Sequence, residues 1–234
     1  LVAATGRPAA WGEVLVRQWP VRAVVSENGA VAAVREGRGV SRIDGVAPAE
    51  RRARRVRLGR LAVDVQQIVP EARLTDDVES RLTDLTWDIG ERVALPADRI
   101  ALLDGVVYPA GAREFRSGVH PAARAAEADK AAGVLALLEA DGIPRADASV
   151  SFAFAGDSGN DASCFAAFAT TFGVANVAPH LAAFSKPPRY VTPSSMGRGF
   201  AEIAAALLAV GGPAARGLPG AHVQGSARET TPRN

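Results

Sequence analysis

Cysteine and histidine are scarce in this chain. Among its 234 residues one is a cysteine, Cys164, and three are histidines, His120, His180 and His222. A single cysteine cannot form an internal disulfide or a cysteine-based zinc cluster. No two of the histidines have the spacing of a metal-binding pair. The sequence therefore excludes a disulfide framework and gives no sign of a metal centre built on sulfur or imidazole.

Long apolar runs and a strong net charge are missing as well. The longest apolar runs, such as residues 203–210, are far shorter than the roughly 20 residues that a membrane-spanning helix needs. The N-terminus has no basic region followed by an apolar one, as a secretory signal would have. Apolar residues make up 48%, charged residues 22%, and the formal charge is +2, as in ordinary globular proteins. We therefore expect a cytoplasmic protein with no membrane partner.

Positive charge is nevertheless concentrated in one segment. The arginines of this segment are Arg51, Arg52, Arg54, Arg55, Arg57 and Arg60. No aromatic residues interleave with them, as they usually do where a protein stacks on nucleic-acid bases. We interpret the segment as the solvated face of a surface helix and expect no nucleic-acid partner. Nucleic-acid binding through this face stays open as an alternative, and it would depend steeply on salt.

An acidic, glycine-rich turn follows an apolar run in the second half of the chain. Residues 150–155 are apolar apart from Ser151, and Gly-Asp-Ser-Gly-Asn-Asp follows at residues 156–161. A buried strand that stops at such a turn delivers its carboxylates to the carboxyl edge of a parallel sheet, where open α/β folds bind ligands. Two carboxylates with an amide between them suit a hard cation such as Mg²⁺. Asp157, Asn160 and Asp161 are therefore the predicted metal ligands.

Two segments near the N-terminus combine glycine with short polar residues. A strand end at residues 1–3 precedes Thr-Gly-Arg-Pro at residues 5–8. A short hydroxyl and a glycine amide let the backbone approach a phosphate closely, although an ordinary strand end would look the same. Ser-Glu-Asn-Gly-Ala at residues 26–30 predicts the turn of a hairpin. Its Glu27 and Asn28 could be turn residues alone.

A lysine stands at the start of a predicted helix. The pattern predicts a helix that opens with Asp129 and Lys130, continues to about Ala140 and ends at Asp141 and Gly142. A positive charge in the first turn opposes the helix dipole, so Lys130 needs another reason to lie there. A solvated surface lysine is the plain alternative.

Together these four segments resemble the motifs of a known family. They occur in the order of the motifs of the haloacid dehalogenase (HAD) phosphatases, and residues 156–161 have the form seen in the sucrose-phosphatase-like branch. The resemblance implies an α/β fold, a HAD-like Rossmannoid parallel sheet flanked by helices, with an inserted α+β cap domain. It also implies Mg²⁺-dependent hydrolysis of a phosphomonoester through an aspartyl-phosphate. The implied substrate is a sugar phosphate or a similar small phosphorylated metabolite.

The resemblance gives phosphate-binding roles to Thr5, Gly6, Lys130 and Asn160. Thr5 and Gly6 would bind the transferred phosphoryl group, and Lys130 would balance its charge. Thr5 and Lys130 are thus the candidate catalytic residues in this chain. Further candidate substrate contacts are Arg7, Asn28 and His120.

The acidic turn receives the metal in the same resemblance. Asp157 and Asp161 would hold Mg²⁺, the second of them through water. Asn160 would orient the phosphate or the metal ligands. These three residues complete the candidate site of the chain.

The resemblance also divides the chain into domains. Glycine, arginine and serine become frequent from about residue 39, where the family inserts its cap. We expect the cap at residues 41–123 and the HAD-like core at residues 1–40 and 124–212. Residues 213–234 have few large apolar side chains and cannot bury enough surface to offset the entropy of ordering. We expect them to form a disordered tail.

The family's first motif, Asp-x-Asp at the end of the first strand, does not occur in this sequence. Its first Asp attacks phosphorus, and the second acts as general acid and base. We therefore expect the nucleophile strand to be missing, Leu1 to be a truncation point and the chain as given to be inactive. A non-catalytic phosphate or sugar-phosphate binding protein of the same fold is the alternative. In either case we expect a monomer or a weak dimer.

Overall fold

The computed structural model describes most of the chain, namely residues 1–44, 46–90, 92–107, 122–124, 129–211 and 228–229. The chain divides into two compact units, Leu1–Gly142 and Ile143–Asn234. In the described residues the first unit has two sheets and the second has one. No helix in these ranges is long and apolar enough to cross a membrane.

The first sheet has four strands in the order β1-β2-β3-β4. They are β1 (Val2–Ala4), β2 (Ala23–Ser26), β3 (Val31–Glu36) and β4 (Gly39–Ile43). β1 and β2 are parallel, whereas β2, β3 and β4 are joined in antiparallel pairs. The hairpin predicted around residues 26–30 is therefore confirmed. Within the described residues, β1 pairs on one side only and forms an edge of this sheet.

Helix α1 (Ala9–Gln18) covers one face of this sheet. Val16 of the helix packs against Val21, Val24 and Ala33 in a core in which none of these residues is more than 3% exposed. Each fully buried side chain of this size contributes about 1.5–3 kcal/mol. The helix is thereby fixed against β2 and β3, with its N-terminus directly after residues 5–8.

An α+β segment follows the first sheet. Its elements are α2 (Pro48–Ile68), β5 (Arg73–Leu74), β6 (Asp84–Asp88), α3 (Ala97–Val107) and β7 (Ala122–Arg124). The strands form an antiparallel sheet in the order β5-β6-β7. Helix α2 begins with a proline at its first turn, where the missing N–H costs nothing. The α+β character predicted for the insert is confirmed, while its bounds at residues 41–123 stay a prediction.

A second apolar core lies within this segment. Leu61 and Val65 of α2, Trp87 of β6 and Leu103 of α3 are its central members. Trp87 is only 2% exposed. Of the six arginines of α2, Arg52, Arg57 and Arg60 are exposed, whereas Arg51, Arg54 and Arg55 are partly buried, so the solvated face expected from the sequence is observed only in part.

Helix α4 (Lys130–Ala140) ends the first unit. The Asp129 carboxylate accepts a hydrogen bond of 2.8 Å from the N–H of Ala132 and thereby caps the helix. Val134, Leu137 and Leu138 form a buried face at helical spacing. The predicted start and end of this helix are confirmed.

The second unit contains α5 (Arg145–Ser151), β8 (Ala153–Gly156), α6 (Ala162–Ala167), β9 (Thr170–Gly173), β10 (Tyr190–Val191), α7 (Met196–Gly211) and β11 (Arg228–Glu229). Its sheet has the order β11-β10-β9-β8, in which β8, β9 and β10 are parallel and β11 is antiparallel to β10. In the described part of the chain, β8 forms an edge of this sheet.

The sequence analysis made two predictions for this unit, a strand over residues 150–155 and a tail at residues 213–234. The prediction of one continuous buried strand over residues 150–155 is wrong, because residues 150 and 151 end helix α5 and Val150 is 64% exposed. The strand itself begins at Ala153 and packs Phe154 against Phe165 and Phe168. Most of the tail predicted at residues 213–234 lies outside the described residues, apart from the two residues of β11.

Candidate active site

The loop of residues 5–7 follows β1 directly. The N–H of Thr5 donates to the carbonyl of Val25 at 2.8 Å and continues the pairing of β1 with β2. The N–H of Arg7 donates to the Thr5 hydroxyl oxygen at 3.1 Å. A hydroxyl that accepts a bond through its oxygen can still donate its own hydrogen. Thr5 can therefore donate to a ligand oxygen while it shapes the loop.

The Glu27–Gly29 turn holds this loop from the neighbouring strand. The N–H of Glu27 donates to the carbonyl of Arg7 at 3.0 Å, and the N–H of Asn28 donates to the carbonyl of Thr5 at 3.1 Å. Because β1 and β2 are parallel, their carboxyl ends lie at one edge of the sheet. The loop and the turn, predicted as separate motifs, are thus bonded to each other.

The backbone of this turn is strained. The φ angles are +48° at Glu27, +54° at Asn28 and +108° at Gly29. Residues other than glycine seldom have positive φ, and each one costs on the order of 1–3 kcal/mol. Asn28 is also only 4% exposed. Asn28 is thus buried within the turn, and its contact with a substrate stays a prediction.

The first turn of α4 contacts the same turn through glycine. A Cβ atom on Gly29 would lie 2.0 Å from the carbonyl oxygen of Asp129, and one on Gly133 would lie 2.3 Å from the carbonyl oxygen of Gly29. Only glycine allows the two backbones to approach this closely. The contact fixes Lys130, which is 5% exposed, beside the turn. Thr5, Asn28 and Lys130 are therefore grouped around one turn, and a solvated surface lysine is excluded.

Arg7 points partly into solvent. Its side chain is 54% exposed, and its guanidinium lies 3.7 Å from the Asp77 carboxylate. The same group lies over the Trp11 ring, 5.9 Å from its centre, within the range of a cation–π contact. Arg7 is thus accessible to a ligand at the start of α1, and its substrate role stays a prediction.

Arg81 is a residue of this site that sequence reasoning missed. Its side chain is 3% exposed, and one of its terminal nitrogens donates to the carbonyl of Gly6 at 3.1 Å. The same nitrogen lies 3.1 Å from Asp84, and Nε lies 3.1 Å from Asp77. Burial acts to lower the pKa of Arg81, but the two carboxylates outweigh it and raise the pKa. The loop is therefore bonded to a permanent buried cation.

The acidic turn, residues 156–161, lies at the carboxyl end of β8. One oxygen of Asp161 accepts from the N–H of Asp157 at 2.9 Å and from the N–H of Ser158 at 3.1 Å. The Ser158 hydroxyl donates to Asn160 at 2.7 Å, and Ser158 and Asp161 form a reciprocal capping box. A Cβ on Gly156 would lie 2.7 Å from the Asp161 carboxylate. Asp161 and Asn160, both buried, thus build the turn.

Asp157 is held from outside the turn. Its Oδ2 accepts a hydrogen bond of 2.8 Å from the side-chain amide of Asn176. The amide oxygen of Asn176 accepts in turn from the N–H of Met196 at 2.9 Å, at the start of α7. Sequence reasoning missed Asn176. Its place just after β9, parallel to β8, was the available signal, because both strands end at the same sheet edge.

The donor set of the acidic turn fits Mg²⁺ only in part. In the described residues, no group of three or more His, Cys, Asp or Glu side chains could hold a metal ion. Mg²⁺ is commonly bound through one or two carboxylates and retains several waters. Asp157 is half-buried and can serve as a direct ligand, whereas the Asp161 oxygen bonded to two N–H groups suits a contact through water. His120, the remaining candidate, lies outside the described residues.

Comparison with known proteins gives no match by sequence. No family model matches the chain, and no curated protein matches it. Solved structures do match. A Thermoplasma acidophilum protein has a TM-score of 0.64 at 16% identity and covers 86% of this chain and 80% of its own.

Two further structures carry functional names. The sucrose-phosphatase of Synechocystis sp. PCC6803, solved with sucrose and phosphate, has a TM-score of 0.57 at 18% identity, covering 88% of this chain and 83% of its own. A haloacid dehalogenase-like hydrolase from Bacteroides thetaiotaomicron has a TM-score of 0.59 at 17% identity, covering 88% and 86%.

The elements and motif positions define an α/β protein with parallel strand pairs, flanking helices and an α+β segment. The structural matches then identify the particular fold, which is that of the haloacid dehalogenase-like hydrolases. At identities of 16–18% the likeness concerns the fold. The fold class expected from the four motifs is confirmed.

Proposed function

We propose that this chain carries the phosphate- and metal-binding residues of a Mg²⁺-dependent phosphomonoester hydrolase. Its substrate would be a sugar phosphate or a similar small phosphorylated metabolite. The observation that carries the proposal is the grouping of the Thr5 hydroxyl and the buried Lys130 around one glycine-tight turn. A lysine ammonium and a hydroxyl held at one turn are groups that bind phosphate oxygens by charge-assisted hydrogen bonds, which favours an anionic ligand there. The sucrose-phosphatase of similar fold supports the substrate class.

The chain's own residues would bind and orient the phosphoryl group. Thr5 donates its hydroxyl hydrogen to a phosphoryl oxygen, the N–H of Gly6 donates to another, and Lys130 balances the charge. Such fixed donors stabilise charge as it develops on the equatorial oxygens. Asp157 would hold Mg²⁺ directly, with Asp161 acting through water and Asn160 orienting the ligands. Mg²⁺, when bound to the acidic turn, would supply the positive charge of a hard cation.

The nucleophile of the proposed reaction is the first carboxylate of an Asp-x-Asp motif. The given sequence does not contain this motif. We therefore expect no Mg²⁺-dependent turnover of p-nitrophenyl phosphate by the 234 residues alone. Turnover that Asp157→Asn abolishes would contradict this expectation. Reading the coding sequence before Leu1 is the direct companion measurement. An apolar strand ending in Asp-x-Asp there would supply the missing carboxylate and support the hydrolase.

Binding by the chain as it exists tests the proposal without turnover. We expect inorganic phosphate to bind in calorimetry, and Lys130→Gln to weaken it by about 10- to 100-fold, the effect of losing a charged hydrogen bond. Lys186→Gln is the matched control, because among the described residues the Lys186 ammonium donates to the carbonyls of Ala166 and Phe168, both in the second unit. Absent phosphate binding, or equal effects of the two variants, would refute the proposal.

A non-catalytic phosphate or sugar-phosphate binding protein is the second candidate. The lack of Asp-x-Asp in the 234 residues favours it, and it uses the same Thr5 and Lys130. Phosphate binding without turnover, in the protein encoded by the complete reading frame, would select this candidate over the hydrolase. Under both proposals we expect a cytoplasmic protein that is a monomer or a weak dimer.

A further inference from the structure

Glu27 is a fully buried acidic residue of the first unit that the proposed reaction does not use. It is 0% exposed. One carboxylate oxygen accepts from the N–H of Ala9 at 3.0 Å and from the N–H of Leu82 at 2.8 Å. The other accepts from the N–H of Thr83 at 2.7 Å and from its hydroxyl at 2.5 Å. Four donors therefore hold one buried carboxylate.

These donors come from two distant parts of the chain. Ala9 opens α1, whereas Leu82 and Thr83 precede β6 in the α+β segment, 55 and 56 residues after Glu27. The backbone N–H of Glu27 donates to the carbonyl of Arg7. One residue thus bonds the 5–7 loop through its backbone and residues 82–83 through its side chain.

Arg81 closes a second connection between the same two parts. It donates to the carbonyl of Gly6, and its guanidinium is enclosed by Asp77 and Asp84. Two residues of the loop, Gly6 and Arg7, are therefore bonded to the 81–83 segment, Gly6 directly by Arg81 and Arg7 through Glu27. No apolar contact is needed to explain how the segment meets the loop.

This arrangement is costly if its only purpose is stability. A buried charge loses its hydration, and apolar replacements of buried ionic groups are often as stable or more stable. Glu27 also has a positive φ of +48°. The desolvation and the strain fall on the residue that connects the loop to the 81–83 segment, which indicates a requirement for loop geometry.

We propose that Glu27 and Arg81 are positioning residues that make the 81–83 segment set the conformation of the 5–7 loop, and through it the affinity for phosphate. The affinity part rests on the proposed function of the loop. The conformational part does not, because the hydrogen bonds from Glu27 and Asn28 to the loop can be measured without any ligand.

A pair of threonines gives a matched test. Thr83→Val removes the hydroxyl that donates to Glu27, whereas Thr86→Val removes a buried hydroxyl with no hydrogen-bond partner in the described residues. We expect Thr83→Val to weaken inorganic phosphate binding by about tenfold, the effect of one lost hydrogen bond to a charged group. It should also speed amide hydrogen exchange at Glu27 and Asn28 by a similar factor. Thr86→Val should change neither, and Thr83→Ser should restore both.

The two readouts separate the inference from the function on which it rests. If the unaltered chain binds no phosphate, the proposed function fails, and faster exchange at Glu27 and Asn28 in Thr83→Val still supports the coupling. Unchanged exchange at both amides in folded Thr83→Val would overturn the inference. Should Thr83→Val not fold, Arg81→Lys takes its place, because lysine keeps the charge but cannot reach Gly6 and both carboxylates at once. Faster amide exchange at Glu27 and Asn28 in Arg81→Lys would support the inference, and unchanged exchange would overturn it.

Discussion

The 5–7 loop and the acidic turn at 156–161 both follow short strands, yet they are held in opposite ways. Hydrogen bonds within the acidic turn join residues no more than four positions apart, and Asn176 bonds Asp157 from outside the turn. The loop depends on Glu27 and on Arg81, which is 75 residues from Gly6. A local sequence can specify the turn, whereas the loop needs the folded α+β segment. Remote substitutions should therefore affect the loop more than the turn.

The largest expected effect comes from removing the buried cation beside the loop. Arg81→Met removes the buried cation that pairs with Asp84, whose side chain is 1% exposed, and should lower the free energy of unfolding by about 3–5 kcal/mol. Urea unfolding measures this. Arg92→Met is the control, because Arg92 and Asp76 are 71% and 67% exposed and such pairs contribute about 0–1 kcal/mol. Equal losses in the two variants would show that the buried network is unimportant.

The backbone contact behind Lys130 gives the next effect. Gly133→Ala places a Cβ 2.3 Å from the Gly29 carbonyl and should cost about 1–3 kcal/mol through overpacking. Gly59→Ala in α2 meets nothing within 4 Å and should stabilise by about 0.5–1 kcal/mol, because alanine favours a helix. Thermal unfolding of the two helical variants should shift in opposite directions. Shifts in the same direction would argue against the tight contact.

The acidic turn should respond to its outside partner mainly in metal binding. Asn176→Leu removes the amide that holds Asp157 and should weaken Mg²⁺ binding by about tenfold or more, as substitutions next to metal ligands commonly do. Calorimetric titration with Mg²⁺ measures the change. Ser149→Ala removes an exposed hydroxyl bond elsewhere in the second unit and should leave it unaltered. Unchanged Mg²⁺ affinity in Asn176→Leu would argue against Asp157 as a ligand of the metal.

The smallest effect is the pH response of Asp77. Burial acts to raise the pKa of this carboxyl, but hydrogen bonds from Thr75 and Arg81 and the charges of Arg81 and Arg7 outweigh it, so the pKa is lowered. Its stabilising contribution is then complete above the unfolded value of about 4 and is lost as pH falls through the lower folded pKa.

Asp77→Asn should therefore flatten the fall in unfolding free energy below about pH 4, which urea unfolding at several pH values can measure. The exposed neighbour provides the control, because the Asp76 side chain is 67% exposed and that of Asp77 is 14% exposed. Asp76→Asn should follow the unaltered chain. An Asp77→Asn profile that also follows it would contradict the lowered pKa.

Sequence reasoning reached the features that short segments specify. The bounds of α4, the hairpin around the Glu27–Gly29 turn and the acidic turn each depend on neighbouring residues, and the structure has all three. The fold class followed from the order of the four motifs. It is confirmed by structures at 16–18% identity, although no family model matches.

The remaining features depend on tertiary contacts that no local pattern contains. The sequence indicated no more than turn residues at Glu27 and Asn28. The donors to the Glu27 carboxylate are up to 56 residues away, so no local pattern reveals them. Val150 continued an apolar run, yet it is an exposed residue of α5, because burial and not composition alone decides where a strand begins. Arg81 carried no signal, since a buried arginine can be recognised only from its partners.

The placement of Trp87 has a practical consequence for spectroscopy. Trp87 is in the core of the α+β segment, whereas Trp11 and Trp19 are 50% and 51% exposed. All three precede residue 142, so the second unit has no tryptophan emitter. A shift in tryptophan fluorescence on unfolding would therefore report the loss of the Trp87 environment, and melting of the second unit would be silent. Circular dichroism recorded on the same sample would register both units, and any offset between the two curves would measure how independently they unfold.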